Sequence, residues 1–171
     1  MTSPNRLYPG DPQNWLNLAR HAWVRMQSDN EEGRKRARFI YLGALAAHKE
    51  NRAHAFRHGT QHYDTRAAYH TGLGVAPFVD AAQFFAAGQS LLRLARPSPD
   101  APPPRNAMAA AYFARGRQLL ENGVMILGQS AQAIRPRPGT ILTIVEEETG
   151  GIAVPMRRIL DAHLRAPRLC R

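Results

Sequence analysis

The chain has 171 residues, of which 44% are hydrophobic and 21% charged, a balance that allows one buried core and differs from that of a disordered segment. The longest apolar run, residues 39–47, is too short to cross a bilayer, and residues 1–10 contain no apolar signal core. We therefore expect a cytoplasmic protein without a membrane partner. The only cysteine, Cys170, excludes an internal disulfide and a cysteine-based zinc site.

The net charge of +10 is unevenly distributed along the chain. Residues 33–145 carry 15 basic and 5 acidic side chains, whereas residues 1–32 carry 3 basic and 4 acidic ones. Nearly all the cations are arginines, whose planar group donates two hydrogen bonds to a phosphate at once. A basic surface therefore favours a nucleic-acid partner. A GC-rich genome would produce the same arginine bias without selection for function, and that alternative stays open.

Helical patterns fill the first half of the chain. Asp11 followed by Pro12 is typical of a helix start, and apolar residues at three- and four-residue spacing predict a first helix over 12–27. Asp29 and Glu32 form a variant of the capping box and predict a second helix that ends at Gly59. The centre of this helix is apolar on all sides and is therefore expected to be buried. Residues 59–76 are predicted to form a long loop.

The second half is also predicted to be helical. Pro77 is expected to open a third helix over 77–96, which a stiff Pro-rich connection over 97–104 follows. A fourth helix is predicted over 106–134, and Gly116 and Gly123 on its apolar face indicate the close approach of a neighbouring helix.

The last two segments complete the predicted fold. Residues 141–148 are compatible with a helix or a strand, and we favour a helix. Pro155 is expected to open a last amphipathic helix that ends near Arg165. The sequence therefore predicts an all-α fold, a compact bundle of five to six helices that forms a single domain over residues 1–171.

No pattern in the sequence supports catalysis or metal binding. His54, His58 and His62 stand four residues apart, but Gly59 is expected to end the helix before His62, and nearby carboxylates are scarce. Adjacent carboxylates at 146–148 point to different faces of a helix and are interpreted as a solvated face rather than an acid and base pair. We therefore expect no enzyme activity, no catalytic residue, no metal and no cofactor.

The candidate site residues are cations and amides of the second and fourth predicted helices, with one arginine between them. Both ends of the second helix are basic, and amides beside an arginine on the fourth suit the backbone of a ligand. The predicted nucleic-acid-binding residues are Arg34, Lys35, Arg38, Lys49, Arg52, Arg57, Arg66, Arg115, Gln118 and Asn122. His58, His62, Tyr63 and His70 are further candidates for stacking or phosphate contacts. The alternative is that the cations are solvated helix ends around a buried middle.

The chain resembles the small helical subunits of multisubunit (class 1) CRISPR effector complexes in size, helix content and charge. The most similar part is the helix from Arg34 to Arg57. The resemblance implies a non-catalytic subunit in antiviral defence. Such a subunit holds the backbone of RNA or single-stranded DNA with surface arginines and contacts other protein subunits. Two alternatives are a helical protein-interaction module and a helical DNA-binding regulator. The regulator would need a turn of three or four residues between two short helices, and the only comparable junction, residues 28–30, lies between helices that look too long.

Overall fold

The computed structural model describes residues 12–28, 30–50, 65–94, 104–151 and 154–165, and every regular element within them is an α-helix. The helices are α1 (Pro12–Ser28), α2 (Glu31–Glu50), α3 (Thr65–Leu94), α4 (Pro104–Gln129), α5 (Pro138–Thr149) and α6 (Val154–Arg165). The predicted all-α bundle is therefore confirmed, and residues 141–148 lie in a helix rather than in a strand.

Helix α3 holds the bundle together. It packs along α2 and along α4, and both α5 and α6 also contact it, while α1 packs on α2. The main core draws on every helix except α1, and its fully buried side chains include Leu42, Phe78, Leu120, Ile144 and Leu160. A second cluster surrounds Trp15 of α1 and includes small residues of α2 and α3, among them Ala44 and Ala68.

Residues 65–76, predicted to be a loop, form the first part of α3 instead. Pro77 therefore lies inside a helix of 30 residues and not at its start. A proline inside a helix costs about 3 kcal/mol because it lacks the N–H donor and its ring meets the preceding turn. Burial explains why α3 continues: Val75, Ala76 and Phe78 are all buried, and a fully buried large apolar side chain contributes about 1.5–3 kcal/mol.

Two glycines set the distance between α2 and α3. A Cβ at Gly43 would overlap the backbone of Ala68, and a Cβ at Gly72 would overlap the backbone of Phe39. The two helices therefore touch backbone to backbone, with no side chain between them at these points. Gly72, which the sequence places in a loop, is a packing position of α3.

The predicted close approach at Gly116 and Gly123 of α4 is confirmed. A Cβ at Gly116 would meet the ring of Phe85, and a Cβ at Gly123 would meet the ring of Phe78. Both rings belong to α3, so this face of α4 receives the aromatic side chains of its neighbour.

The observed start of α2 differs from the predicted capping box. The side-chain oxygen Oδ1 of Asn30 accepts a hydrogen bond from the backbone N–H of Gly33, with 2.8 Å between the two atoms. Asn30 is therefore the N-cap, and Asp29 lies outside the described residues. The predicted continuation of α2 over 51–58 also lies outside them, as do residues 95–103.

Helix α4 ends at Gln129, five residues before the predicted end at Ile134. Residues 130–137 form an irregular segment that leads to α5. The hydroxyl of Thr71, fully buried in α3, accepts a hydrogen bond of 2.8 Å from the backbone N–H of Ile134 and donates one of 2.7 Å to the carbonyl of Ala67. The side chain of Thr71 thus holds residues 130–137 against α3. It accepts a hydrogen bond from the N–H of Ile134, which in a longer α4 would have donated to a carbonyl of that helix.

Candidate nucleic-acid interface

The three consecutive carboxylates of α5 are bound to other helices. Glu146 pairs with Arg157 of α6 (2.7 Å), Glu147 pairs with Lys49 of α2 (2.8 Å), and Glu148 accepts a hydrogen bond of 3.2 Å from the hydroxyl of Tyr41. The run is partly solvated, as the sequence suggested, since Glu146 and Glu147 are 34% and 52% exposed, but its members also connect α5 to α2 and α6. Burial, and then the charge of Glu148, raises the pKa of Tyr41 from 10.0 to about 12.

Glu50, at the last position of α2, is a buried carboxylate, with 1% of its surface exposed. Its two oxygens accept hydrogen bonds from the backbone N–H of Arg137 (2.7 Å) and from the Nε of the same residue (3.2 Å). Arg137 is the N-cap residue of α5, so the negative charge lies at the positive end of that helix. Glu50 is thus a structural contact between the end of α2 and the start of α5.

Two of the predicted nucleic-acid contacts are also bound within the bundle. Arg38 donates to both carboxylate oxygens of Asp80 on α3, at 2.6 and 3.4 Å, and its side chain is 32% exposed. Lys49 is held by Glu147 and is 24% exposed. These contacts give both cations a role in joining helices, and their predicted role at a ligand stays a prediction.

Other arginines remain exposed and have no carboxylate within ion-pair distance in the part of the chain that the structure describes. They are Arg20, Arg36, Arg93, Arg115, Arg117, Arg135 and Arg158. Most of the described acids are bound at helix contacts, so the basic excess is concentrated on the surface. This surface is suited to a polyanion.

One of these arginines meets aromatic rings at the junction of α2 and α3. The guanidinium carbon of Arg36 lies over the ring of Tyr69, 4.9 Å from the centroid. The ring of His70 stands edge-on to Tyr69 at 5.5 Å, and Arg66 lies one turn earlier on α3. We call Arg36, Arg66, Tyr69 and His70 the basic-aromatic patch. It combines a predicted contact, Arg66, and a candidate stacking residue, His70, with Arg36 and Tyr69, which sequence reasoning missed.

The α4 residues of the predicted site lie elsewhere. Arg115 and Gln118 are exposed and joined by a hydrogen bond of 2.9 Å, and Asn122 is partly exposed one turn further on. The neighbouring Gly116 packs on Phe85, which lies 16 residues along α3 from Tyr69, or about 24 Å at 1.5 Å per residue. The structure does not bring the α4 residues and the basic-aromatic patch together.

The remaining predicted residues divide into two groups. Arg34 and Lys35 are exposed in the first turns of α2, where Lys35 is 3.6 Å from Glu31 in an exposed pair that is weak in water. Arg52 and Arg57 lie outside the described residues, as do His54, His58, His62 and Tyr63. Among the described side chains, no three of the types that bind metal ions cluster closely enough to hold one.

Comparisons with family models, with curated proteins and with solved structures each give no match to this chain. Within the described residues, no helix combines the length and the apolar character that a membrane span requires. The described side chains are therefore the guide to the function of this chain.

Proposed function

We propose that this protein is a non-catalytic subunit that holds the backbone of RNA or single-stranded DNA within a larger cytoplasmic nucleoprotein assembly. The observation that supports the proposal is the division of charge: most of the described carboxylates are bound at contacts between helices, whereas several exposed arginines have no carboxylate partner among the described residues. The resemblance to small subunits of class 1 CRISPR complexes agrees with this function.

The test is the dependence of affinity on salt, measured by fluorescence anisotropy with a labelled single-stranded oligonucleotide. The slope of log affinity against log salt should change by about 0.7 per phosphate contact on a single strand. Replacing Arg36 and Arg66 together by Ala should reduce that slope by roughly 1.4 while the circular dichroism spectrum keeps its helical shape.

The matched control replaces two arginines of α1, Arg20 and Arg25, by Ala, which removes the same charge from a segment without a basic excess. Its slope should change less than that of the variant without Arg36 and Arg66. Undetectable binding at low salt, or equal effects of the two double variants, would contradict the proposal. The protein-interaction module would then be the better hypothesis, because Met108 and Met125 of α4 are each 49% exposed.

The helical DNA-binding regulator has one observation in its favour. Helices α5 and α6 have 12 residues each, and Gly150 at the end of α5 has φ of 76°. Two short helices with a glycine between them are one feature of a helix-turn-helix, although residues 152 and 153 of this junction lie outside the described residues. In the sequence, the only comparable junction is at residues 28–30, between helices that look too long for this motif. A regulator would bind a duplex more tightly than a single strand and would discriminate between duplex sequences.

A further inference from the structure

The ring of Tyr69 is held in one orientation by its neighbours. Phe39 of α2 stands against it at 5.8 Å with an angle of 78° between the ring planes, and His70 stands against it at 5.5 Å and 75°. Both contacts are edge-to-face arrangements, which aromatic rings prefer to a face-to-face sandwich. Arg36 covers a face of the ring with its guanidinium. The patch is therefore built by packing between α2 and α3 and needs no ligand to form.

The guanidinium of Arg36 is itself a planar surface. A guanidinium is weakly hydrated and stacks on rings, and nucleic-acid bases in single strands stack on arginine planes as well as on aromatic side chains. Arg36 remains exposed while it covers Tyr69, and in the described part of the chain no carboxylate binds it. Its guanidinium thus has the ring of Tyr69 on one side, while the residue as a whole remains exposed to solvent.

We propose that Arg36, supported by Tyr69 and His70, is a stacking site for one unpaired base, with Arg66 placed to meet the phosphate beside it. The inference rests on the proposed function and adds the class of ligand. Bases inside a duplex are covered on both faces by their neighbours, so this site selects a single strand, a loop or a frayed end. Backbone contacts alone would not make that distinction.

The experiment compares three labelled probes of equal length: oligothymidylate, an abasic strand with the same number of phosphates, and a duplex. One stacked base should make the protein bind oligothymidylate about 5- to 150-fold more tightly than the abasic strand, equivalent to 1–3 kcal/mol. Arg36→Lys keeps the charge but removes the planar group. It should bring the affinity for oligothymidylate down toward that for the abasic strand, and it should leave the salt slope unchanged.

Arg158→Lys is the matched control, because Arg158 is exposed on α6 and has no ring beside it among the described contacts. It should keep the full preference for bases. Tyr69→Leu, checked for folding by circular dichroism, should lose that preference as Arg36→Lys does. Equal affinity for both single-stranded probes would overturn the stacking site and leave backbone binding intact. A full base preference in Arg36→Lys would overturn it too, whereas no binding to any probe would refute the proposed function.

Discussion

At the scale of single residues, the stability of the bundle is sensitive to the glycines that lie against the backbone of a neighbouring helix. Gly72→Ala should lower the free energy of unfolding by at least about 2 kcal/mol, because the new Cβ would overlap the backbone of Phe39. Unlike a side chain, this backbone cannot adopt another rotamer to make room. Urea denaturation followed by circular dichroism would measure the loss.

Gly139 offers the control for that substitution. It lies in the first turn of α5, and apart from its chain neighbours and the nearby backbone of α5, no described atom comes within 4 Å of the point that a Cβ would occupy. Gly139→Ala should therefore leave stability unchanged or raise it by up to about 1 kcal/mol, since alanine favours a helix more than glycine does. Similar losses in the two variants would mean that the α2–α3 contact adapts to an added methyl group.

The raised pKa of Tyr41 predicts how stability changes at alkaline pH. Its phenol is neutral in the folded and unfolded chains below pH 10.0, the ordinary pKa, and the unfolded chain loses the proton first as the pH rises toward 12. The free energy of unfolding should therefore fall through this range. Tyr41→Phe should show a smaller fall between pH 10.0 and about pH 12 in urea denaturation. An identical fall in both proteins would show that the pKa of Tyr41 is not raised by folding.

Which residues of the site could be predicted depends on the range of the interactions involved. Arg66 and His70 stand out in the sequence because charged and aromatic residues are visible wherever they occur. The contact of Arg36 with Tyr69 joins residues 33 positions apart, and only the packing of α2 on α3 brings them together. The partners of Arg38 and Lys49 are also distant in the chain, so the sequence alone could not show that these two cations are bound internally.

At the scale of helices, one buried carboxylate, Glu50, adds to the apolar contacts that attach α5 to the bundle. Glu50→Ala should destabilise the protein by about 3 kcal/mol, because it removes the acceptor of two hydrogen bonds from Arg137 at a buried position. Hydrogen exchange should show that the amides of α5 lose protection more than those of α4.

Glu147→Ala is the comparison variant for Glu50. Glu147 also joins α5 to α2, through Lys49, but its side chain is 52% exposed. Exposed ion pairs contribute at most about 1 kcal/mol, so this variant should stay close to the unmodified protein in stability and in exchange. A loss as large as that of Glu50→Ala would show that the number of contacts, and not burial, holds α5 in place.

The helices were predicted correctly where proline positions and apolar spacing agreed with the observed burial. The prediction was wrong where glycine and proline favoured a loop in a segment that is buried. The start of α1, the helical state of 141–148 and the last helix follow from proline positions and apolar spacing, and the structure confirms them. Residues 65–76 contain two glycines and precede a proline, which are local signals for a loop. Their true role is to let α3 approach α2 and α4 closely, and that role exists only once the neighbouring helices are in place.

At the scale of the whole molecule, the free energy of local opening should be highest for α3 and lower for helices that have little contact with it. Helix α3 is in contact with α2, α4, α5 and α6, whereas α1 packs mainly on α2. Native-state hydrogen exchange should therefore find the slowest amides in α3, exchanging only on global unfolding, and should find α1 opening at a lower free energy. Equal opening energies for α1 and α3 would indicate that the bundle unfolds only as one unit.

The backbone contact between α2 and α3 also determines how such a chain can diverge. Surface arginines can be exchanged or lost one at a time without disturbing the helices, so basic composition is a poor guide to ancestry. Gly43 and Gly72 accept no side chain as long as the two helices keep this distance, and a change at one would have to be accompanied by a shift that frees the other. Paired conservation of these two glycines, 29 positions apart, is therefore the pattern by which descendants of the same ancestor would be recognised.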